Sequence, residues 1–410
     1  MPKPKSKSQQ AAEPIHLSIG PEEVDQISLA AGAMVEAVRD HMCSPDSRKT
    51  PPTITSTDIS NITKLTKFQV QHYMRKYADL PRGKMVGNRL EFSLADGRQI
   101  IKRLTPEKQR KRDVSCAITI AIANFKGGVT KTTTTATLAQ ALSLRGYEVL
   151  VIDLDPQGSL STLYGILPDI DVEDGQTIME LYAGDQPNAD YAIRPTYWAG
   201  VDIIAGSPEL HNAEFMLPSR QHREEGFNFW GILDAGLDSA RERYDIILID
   251  TAPSLNYSTV NALMAADGII MPLPPSPLDF ASSASFWQLC NDIMKRLVHG
   301  QGKGKGLKKF YFIDVVLCRV DKNVGVSALV RDWIIRAYGS KVLPVEIPKT
   351  SIADTAAAGF GTVYDLAPTP SIAKTLKRAK DAYDSLADFV ENQIQGVWAG
   401  AAEKHTGETK

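Results

Sequence analysis

The chain is poor in the features that mark secreted, metal-scaffolded or membrane proteins. It has four cysteines in 410 residues, at positions 43, 116, 290 and 318, with neither a C-x-x-C pair nor the Cys/His spacing of a zinc site. That argues against a disulfide framework or a structural metal and predicts reduced thiols. No stretch approaches the ~18 uninterrupted apolar residues of a membrane span. The opening Met-Pro-Lys-Pro-Lys-Ser-Lys lacks the apolar segment of a signal peptide. The tail from Val397 to Lys410 has one tryptophan, Trp398, several Ala and Gly and no apolar stripe, so no amphipathic membrane anchor is expected there. These absences predict a soluble, cytoplasmic protein. What the chain does have is 43% apolar residues, enough for a well-buried sheet, and a length that exceeds a single core.

Net charge is only −2, but it is unevenly spread. Pro51 to Arg112 carries 14 Lys and Arg against 5 Asp and Glu, a local +9 that leaves −11 for the rest. A basic unit attached to an acidic body points to a nucleic-acid partner for the basic part; a solvated basic face is the plainer alternative. Residues 1–20 are polar and rich in Pro, Lys and Gln, which predicts disorder. From 21 to 43 a helix is expected, with Val24, Ile27, Ala31, Met34 and Val38 on one narrow stripe. The stripe fits pairing with its own copy, or packing on its own domain.

Residues 51–104 read as a helix-turn-helix with a hairpin. Ser56 or Thr57 can cap a first helix, Lys64-Leu65 make the turn, and Thr66 caps a second helix from Lys67 to about Tyr77. Lys67, Gln69, Gln71, His72 and Arg75 fall on its outer face, donors and acceptors of the kind that read base edges in a major groove. Arg89 to Leu94 and Arg98 to Arg103 alternate around Asp96-Gly97, a hairpin signal that would make a wing and present Arg89 and Arg98 to DNA. Residues 105–113 then read as a linker, and 114–397 as a second, larger domain.

Lys126 to Thr133 read K-G-G-V-T-K-T-T between the apolar run 117–123 and a helical pattern. This is a phosphate-binding loop. Its backbone amides, at a helix start, favour anions. Gly127 and Gly128 allow close approach, Lys131 reaches the β/γ phosphates, and the Thr132 hydroxyl ligates Mg²⁺. Val129, Thr130 and Thr133 complete the nucleotide cradle. Lys126 stands at the entrance, where its own phosphates are already served, so a cation there makes most sense aimed at a nucleotide held by a second subunit.

The arrangement resembles the deviant Walker A motif of the ParA/MinD ATPases, whose signature lysine crosses the dimer interface to the partner's ATP. Val149-Leu-Val-Ile-Asp-Leu-Asp-Pro-Gln-Gly158 is similar to that family's second strand and first switch. Tyr244-Asp-Ile-Ile-Leu-Ile-Asp-Thr-Ala-Pro-Ser254 is similar to its Walker B strand and second switch. Thr130 departs from the P-loop pattern, which expects Gly before the catalytic Lys; the plasmid ParA/SopA subgroup, which carries an extra N-terminal DNA-binding domain, shares that departure. The resemblance implies an α/β fold with a doubly wound, mostly parallel sheet, preceded by an N-terminal helix and a winged helix-turn-helix. It also implies ATP and Mg²⁺ as cofactors, with Lys126, Lys131 and Asp155 in the catalytic set and Asp155 positioning the attacking water. Asp250 would hold Mg²⁺ through water; Asp153 is either a further Mg²⁺ group or a structural cap. Pro348 matches the base-side loop, and without an N-K-x-D motif ATP is favoured over GTP. Implied partners are operator and non-specific DNA, a ParB-type centromere-binding protein and a second copy of the chain, with no membrane and a nucleoid-associated location. Arg319, Lys322 and Lys349 are candidates for non-specific DNA, and Lys295 to Lys309 reads as a mobile loop.

The same core also serves two other kinds of protein. A nitrogenase-iron-protein-like enzyme needs cluster cysteines near the dimer interface, and no cysteine here lies just after either switch. A repressor that keeps the nucleotide switch but hydrolyses little is consistent with Thr130 in the loop.

Overall fold

The computed structural model describes residues 20–43, 49–299, 308–321 and 324–407. The polar segment before residue 20, the lysine- and glycine-rich stretch 300–307 and Lys322 lie outside them. Chain contacts divide the protein into Met1–Lys49 and Thr50–Lys410.

In the first unit the described structure is one helix, α1 (Pro21–Cys43), with Glu22 and Glu23 in its first turn, where carboxylates favour the helix dipole. Val24, Ile27, Leu29 and Met34 are exposed on it.

The second unit opens with β1 (Ile54–Thr55), α2 (Ser56–Thr63), α3 (Lys67–Lys76), β2 (Lys84–Val86), β3 (Arg89–Phe92) and α4 (Leu94–Leu104). Both helices of the expected pair start on reciprocal caps. Thr55, one residue before the expected position, pairs with Asp58, and Thr66 pairs with Gln69. Lys64 takes a left-handed conformation, φ 59°, to end α2 and turn the chain. Ile59 and Val70 are fully buried between the helices, with Met74 beside them.

The expected hairpin around Asp96-Gly97 is not formed. Ser93 caps a helix there by accepting from the Asp96 amide, and α4 carries straight through Gly97. The cause is packing: Leu94, Ile100 and Ile101 are buried at helical spacing, and Ile54 lies so close to Gly97 that no Cβ would fit. The hairpin instead joins β2 to β3 across Gly87-Asn88, in a three-stranded antiparallel sheet ordered β1-β3-β2.

The body is built on β4 (Ile118–Ile122), β5 (Val149–Asp153), β6 (Ile193–Pro195), β7 (Val201–Ile204), β8 (Ile246–Asp250), β9 (Gly268–Leu273), β10 (Phe312–Val320) and β11 (Val342–Pro348). The eight strands run in the order β11-β10-β9-β4-β8-β5-β7-β6. All pairs are parallel except the edge strand β6, which sequence reading missed. Alternation along each strand supplies both faces. Ile118, Ile120 and Ile122 of β4 join one core with helix α5 (Lys131–Leu144) and the long helix Ala373–Gly407; Ala121 joins another beneath Phe286. The sheet is thus covered on both sides, as expected of a doubly wound α/β fold.

The basic N-terminal elements share a core with the body. Ile59, Val70, Leu94, Ile100 and Ile101 belong to the same buried cluster as Leu138, Leu142 and Leu386. Arg98 is the main polar tie. Its guanidinium donates to the carbonyls of Ser143 (2.9 Å) and Tyr147 (2.8 Å) and pairs with Glu148 at 3.0 Å. It lies directly over Gly200, at φ 80°, where any side chain would collide with it. Arg98 is therefore a docking residue rather than the DNA contact expected from the misplaced hairpin. The expected linker 105–113 is also ordered. Arg110 donates to the Ser115, Arg241 and Tyr244 carbonyls, and Arg112 to those of Glu242 and Arg243.

Arg98→Ala takes the cationic donor from two backbone carbonyls and one of two cations from Glu148, which keeps Lys102 at 3.3 Å, and should cost about 2 kcal/mol of stability. Urea unfolding of the intact chain checks this; an unchanged midpoint would show that α4 does not depend on Arg98.

Candidate functional site

The loop between β4 and α5 carries the expected phosphate-binding residues at the carboxyl edge of the sheet, where ligands of open α/β sheets bind. Gly128 has φ 74° and Thr130 φ 69°. A β-branched residue in the left-handed region costs roughly 1–2 kcal/mol, so the surroundings must hold this conformation. Two side chains at the end of β10 touch the loop: Cys318 Sγ donates to Val129 O at 3.3 Å and Arg319 Nη1 to Gly128 O at 3.0 Å. Arg319 is itself left-handed, φ 51°.

Lys131 starts α5 and is buried, its ammonium donating to the Lys126 carbonyl at 3.0 Å. Burial pulls its pKa down, while the charges of Asp250 and Asp155 oppose that shift. The two lysines of the loop have separate places. Lys126 directs its ammonium out of the loop to Asp279 Oδ1, at 2.7 Å. Asp279 sits in the first turn of the helix Pro277–His299 and its other oxygen is held by the Ser276 hydroxyl. Sequence reading missed Asp279, although Ser276-Pro-Leu-Asp279 has the spacing of a capping pair. Asn124 shapes the entrance, accepting from the Lys126 amide (3.2 Å) and donating to Pro272 O (2.9 Å).

Asp153 and Asp250 end adjacent parallel strands and stand opposite each other in register. Both are completely buried. Asp153 accepts from the Asp155 amide (3.2 Å) and from the amide and hydroxyl of Ser161 (2.9 and 2.8 Å). Both of its oxygens hold the loop 154–161, the contacts of a structural cap. Burial nevertheless raises its pKa to about 6. Asp250 Oδ1 accepts from Thr135 at 3.3 Å, but Oδ2 has no protein partner. Burial, with the charge of Asp153 next, raises its pKa; Thr132 and Lys131 work against the rise. A buried carboxylate oxygen without a donor beside a threonine hydroxyl is the chemistry a divalent cation satisfies, so the residues fit Mg²⁺ held by Thr132 and Asp250.

Asp155 is only partly buried, and its Oδ1 accepts from the Gln157 amide at 3.1 Å. Gly206, after β7, packs against Asp153 and Asp155 so tightly that a Cβ would meet both within about 2.8 Å. The Ser161 hydroxyl accepts from its amide at 2.9 Å. The first switch is therefore braced from β7 as well as β5. Pro348 ends β11 beside Val320 of β10, and the Lys349 amide donates to Val320 O at 3.0 Å.

Of the expected DNA-facing residues, Lys67, Gln71, His72 and Arg75 are exposed on α3, and Arg89 is exposed at the start of β3. Gln69 is exposed too, but its side-chain carbonyl accepts from the Thr66 amide and hydroxyl, both at 2.8 Å, so it caps α3. Phe68, beside Lys67, is 78% exposed and was not anticipated. The turn between the helices is anchored to the body by Lys64, which pairs with Asp388 at 3.2 Å.

Comparison with known proteins agrees with this geometry. A family model described as an AAA domain matches residues 117–300. The chromosome partitioning protein ParA of Caulobacter vibrioides is 33% identical over 252 residues, 60% of this chain and 87% of that protein. A solved structure described as a partition protein superposes with TM-score 0.63 over 92% of this chain and 98% of its own, at 21% identity. Cobyrinic acid a,c-diamide synthase from Mycobacterium smegmatis, solved with ADP and magnesium, gives TM-score 0.51 at 27% identity over 66% of this chain and 93% of its own. The P-loop, the two switch strands and these likenesses lead to one conclusion: the chain belongs to the ParA family of partition ATPases.

Proposed function

We propose that the protein is a Mg²⁺-dependent ATPase of DNA partition whose ATP-bound dimer holds non-specific DNA, is stimulated by a ParB-type centromere-binding partner, and represses its own operon through the helix-turn-helix. The observation that carries this reading is the division of labour in the loop. Lys131 lies in the cradle, whereas Lys126 leaves it and pairs with Asp279. A cation so placed can serve a nucleotide across an interface, so the full set of charges is assembled only when two copies meet. Phosphoryl transfer depends on positioning and charge neutralisation. Lys131 and the loop amides bind and orient the β/γ phosphates. Asp155, near the charges of Lys131 and Asp250, orients the attacking water. Bound Mg²⁺, held by Thr132 and Asp250, would neutralise phosphate oxygens. Nucleotide state would thereby set dimerisation, and dimerisation would set DNA binding.

Lys131→Ala should abolish ATP binding. Lys126→Ala should leave binding largely intact and lose the nucleotide-dependent dimer and turnover, while Asp279→Asn, which frees Lys126, should form that dimer at several-fold lower ATP. Light scattering, nucleotide titration and phosphate release separate the three. Normal turnover by Lys126→Ala would refute a role for it across the interface.

Asp155→Ala removes the water-orienting carboxylate and keeps the cradle, so hydrolysis should slow by about 10²- to 10⁴-fold with binding and dimerisation retained. Slow dissociation from DNA after ATP is washed out is the expected sign. Monomers at saturating ATP would assign Asp155 to assembly instead.

Lys67, Gln71, His72 and Arg75 form an open polar face on α3, which supports major-groove recognition. Arg75→Ala should weaken operator binding by about 1–3 kcal/mol if it reads a base, and equally for all sequences if it touches phosphate. Competition with unrelated DNA distinguishes these, and unchanged affinity for both would remove α3 from the interface.

A further inference from the structure

We propose that Arg319 and Cys318, at the end of β10, are positioning residues for the nucleotide: they hold the crest of the phosphate loop so that its amides face the anion. The proposal rests on the nucleotide-binding reading of that loop and replaces the expectation that Arg319 serves non-specific DNA.

In a planar trans peptide the carbonyl of one residue and the amide of the next point in opposite directions. Arg319 takes the Gly128 carbonyl at 3.0 Å and Cys318 the Val129 carbonyl at 3.3 Å. The N–H groups of Val129 and Thr130 are therefore turned to the other side of the loop, the side a phosphate cradle uses. A donor on a carbonyl also polarises its own peptide, which strengthens the N–H as an anion donor.

Thr130 stands at φ 69° where the loop pattern calls for glycine. It has no intrinsic preference for that state, so an external clamp is needed where glycine would need none. The clamp comes from consecutive residues of one strand, and Arg319 makes its contact while itself standing at φ 51°. Cys318 is fully buried and its thiol is pushed up to about 12, mainly by burial, so it remains a donor at neutral pH. Strand β10 is in turn fixed between β9 and β11, which gives the clamp a rigid base.

The test is equilibrium binding of a fluorescent ATP analogue with Mg²⁺ to the full chain without DNA, with Lys131→Ala as the non-binding control. Arg319→Ala should weaken binding about tenfold, the size of one charge-assisted hydrogen bond, with an unchanged thermal midpoint because Arg319 is exposed. Arg319→Lys, which keeps one donor, should recover part of the loss. Cys318→Val, similar in size but without a donor, should weaken binding and Cys318→Ser should restore it. In a Thr130→Gly background the Arg319→Ala loss should shrink, since the loop no longer needs holding. Unchanged affinity of Arg319→Ala, with weaker retention on DNA, would overturn the proposal and return Arg319 to DNA binding. An equal loss in both backgrounds would overturn the clamp. Failure of the unmodified chain to bind the analogue would refute the nucleotide reading itself.

Discussion

Two acids at the ends of adjacent strands set the terms for the rest of the site. Asp153 and Asp250 are fully buried and face each other in register. Carboxylates so placed lose their hydration and repel one another, so each must find donors or stay protonated. The chain resolves the two differently. Asp153 is saturated by Ser161 and the Asp155 amide, which folds the first switch back over the strand end and makes its shape depend on a buried charge. Asp250 keeps one oxygen unpartnered, next to the helix that begins at Lys131. The same electrostatic problem thus yields a braced loop on one side and a cation-seeking group on the other.

Much of the body was legible because its strands are apolar throughout. Such runs in a βα alternation leave few alternatives to a parallel sheet, and the phosphate loop is written in consecutive residues, whereas the roles of the acids and the switch came from the resemblance to the ParA/MinD ATPases. Asp279 was hidden because it acts across a long sequence gap: nothing near Lys126 in the chain indicates a carboxylate more than a hundred residues later. Cys318 and Arg319 were hidden for the same reason, and because a hydrogen bond to a backbone carbonyl leaves no pattern in side-chain type.

The N-terminal elements show where local signals mislead. Asp96-Gly97 between two alternating stretches is a good hairpin pattern, yet Leu94, Ile100 and Ile101 also fit a helix, and Ser93 can cap it. The tertiary contact decided: Gly97 was needed for close approach to Ile54, not for a turn. Arg98 then changed meaning with its element, from a wing tip to a half-buried tie. Gln69 changed in a smaller way, since the capping pair with Thr66 occupies the carbonyl that groove recognition would use.

The shared core around α4 also bears on how such a protein can be rearranged in evolution. An exchange of coding sequence that joins one ancestor's residues up to about 112 to another's body would split Ile100 and Ile101 from Leu138 and Leu142, and Arg98 from its carbonyls. Both halves would inherit mismatched surfaces. A crossover near Lys49, where the two compact units meet in the chain, breaks none of these contacts. The elements from β1 to α4 must therefore drift together with the body they pack against.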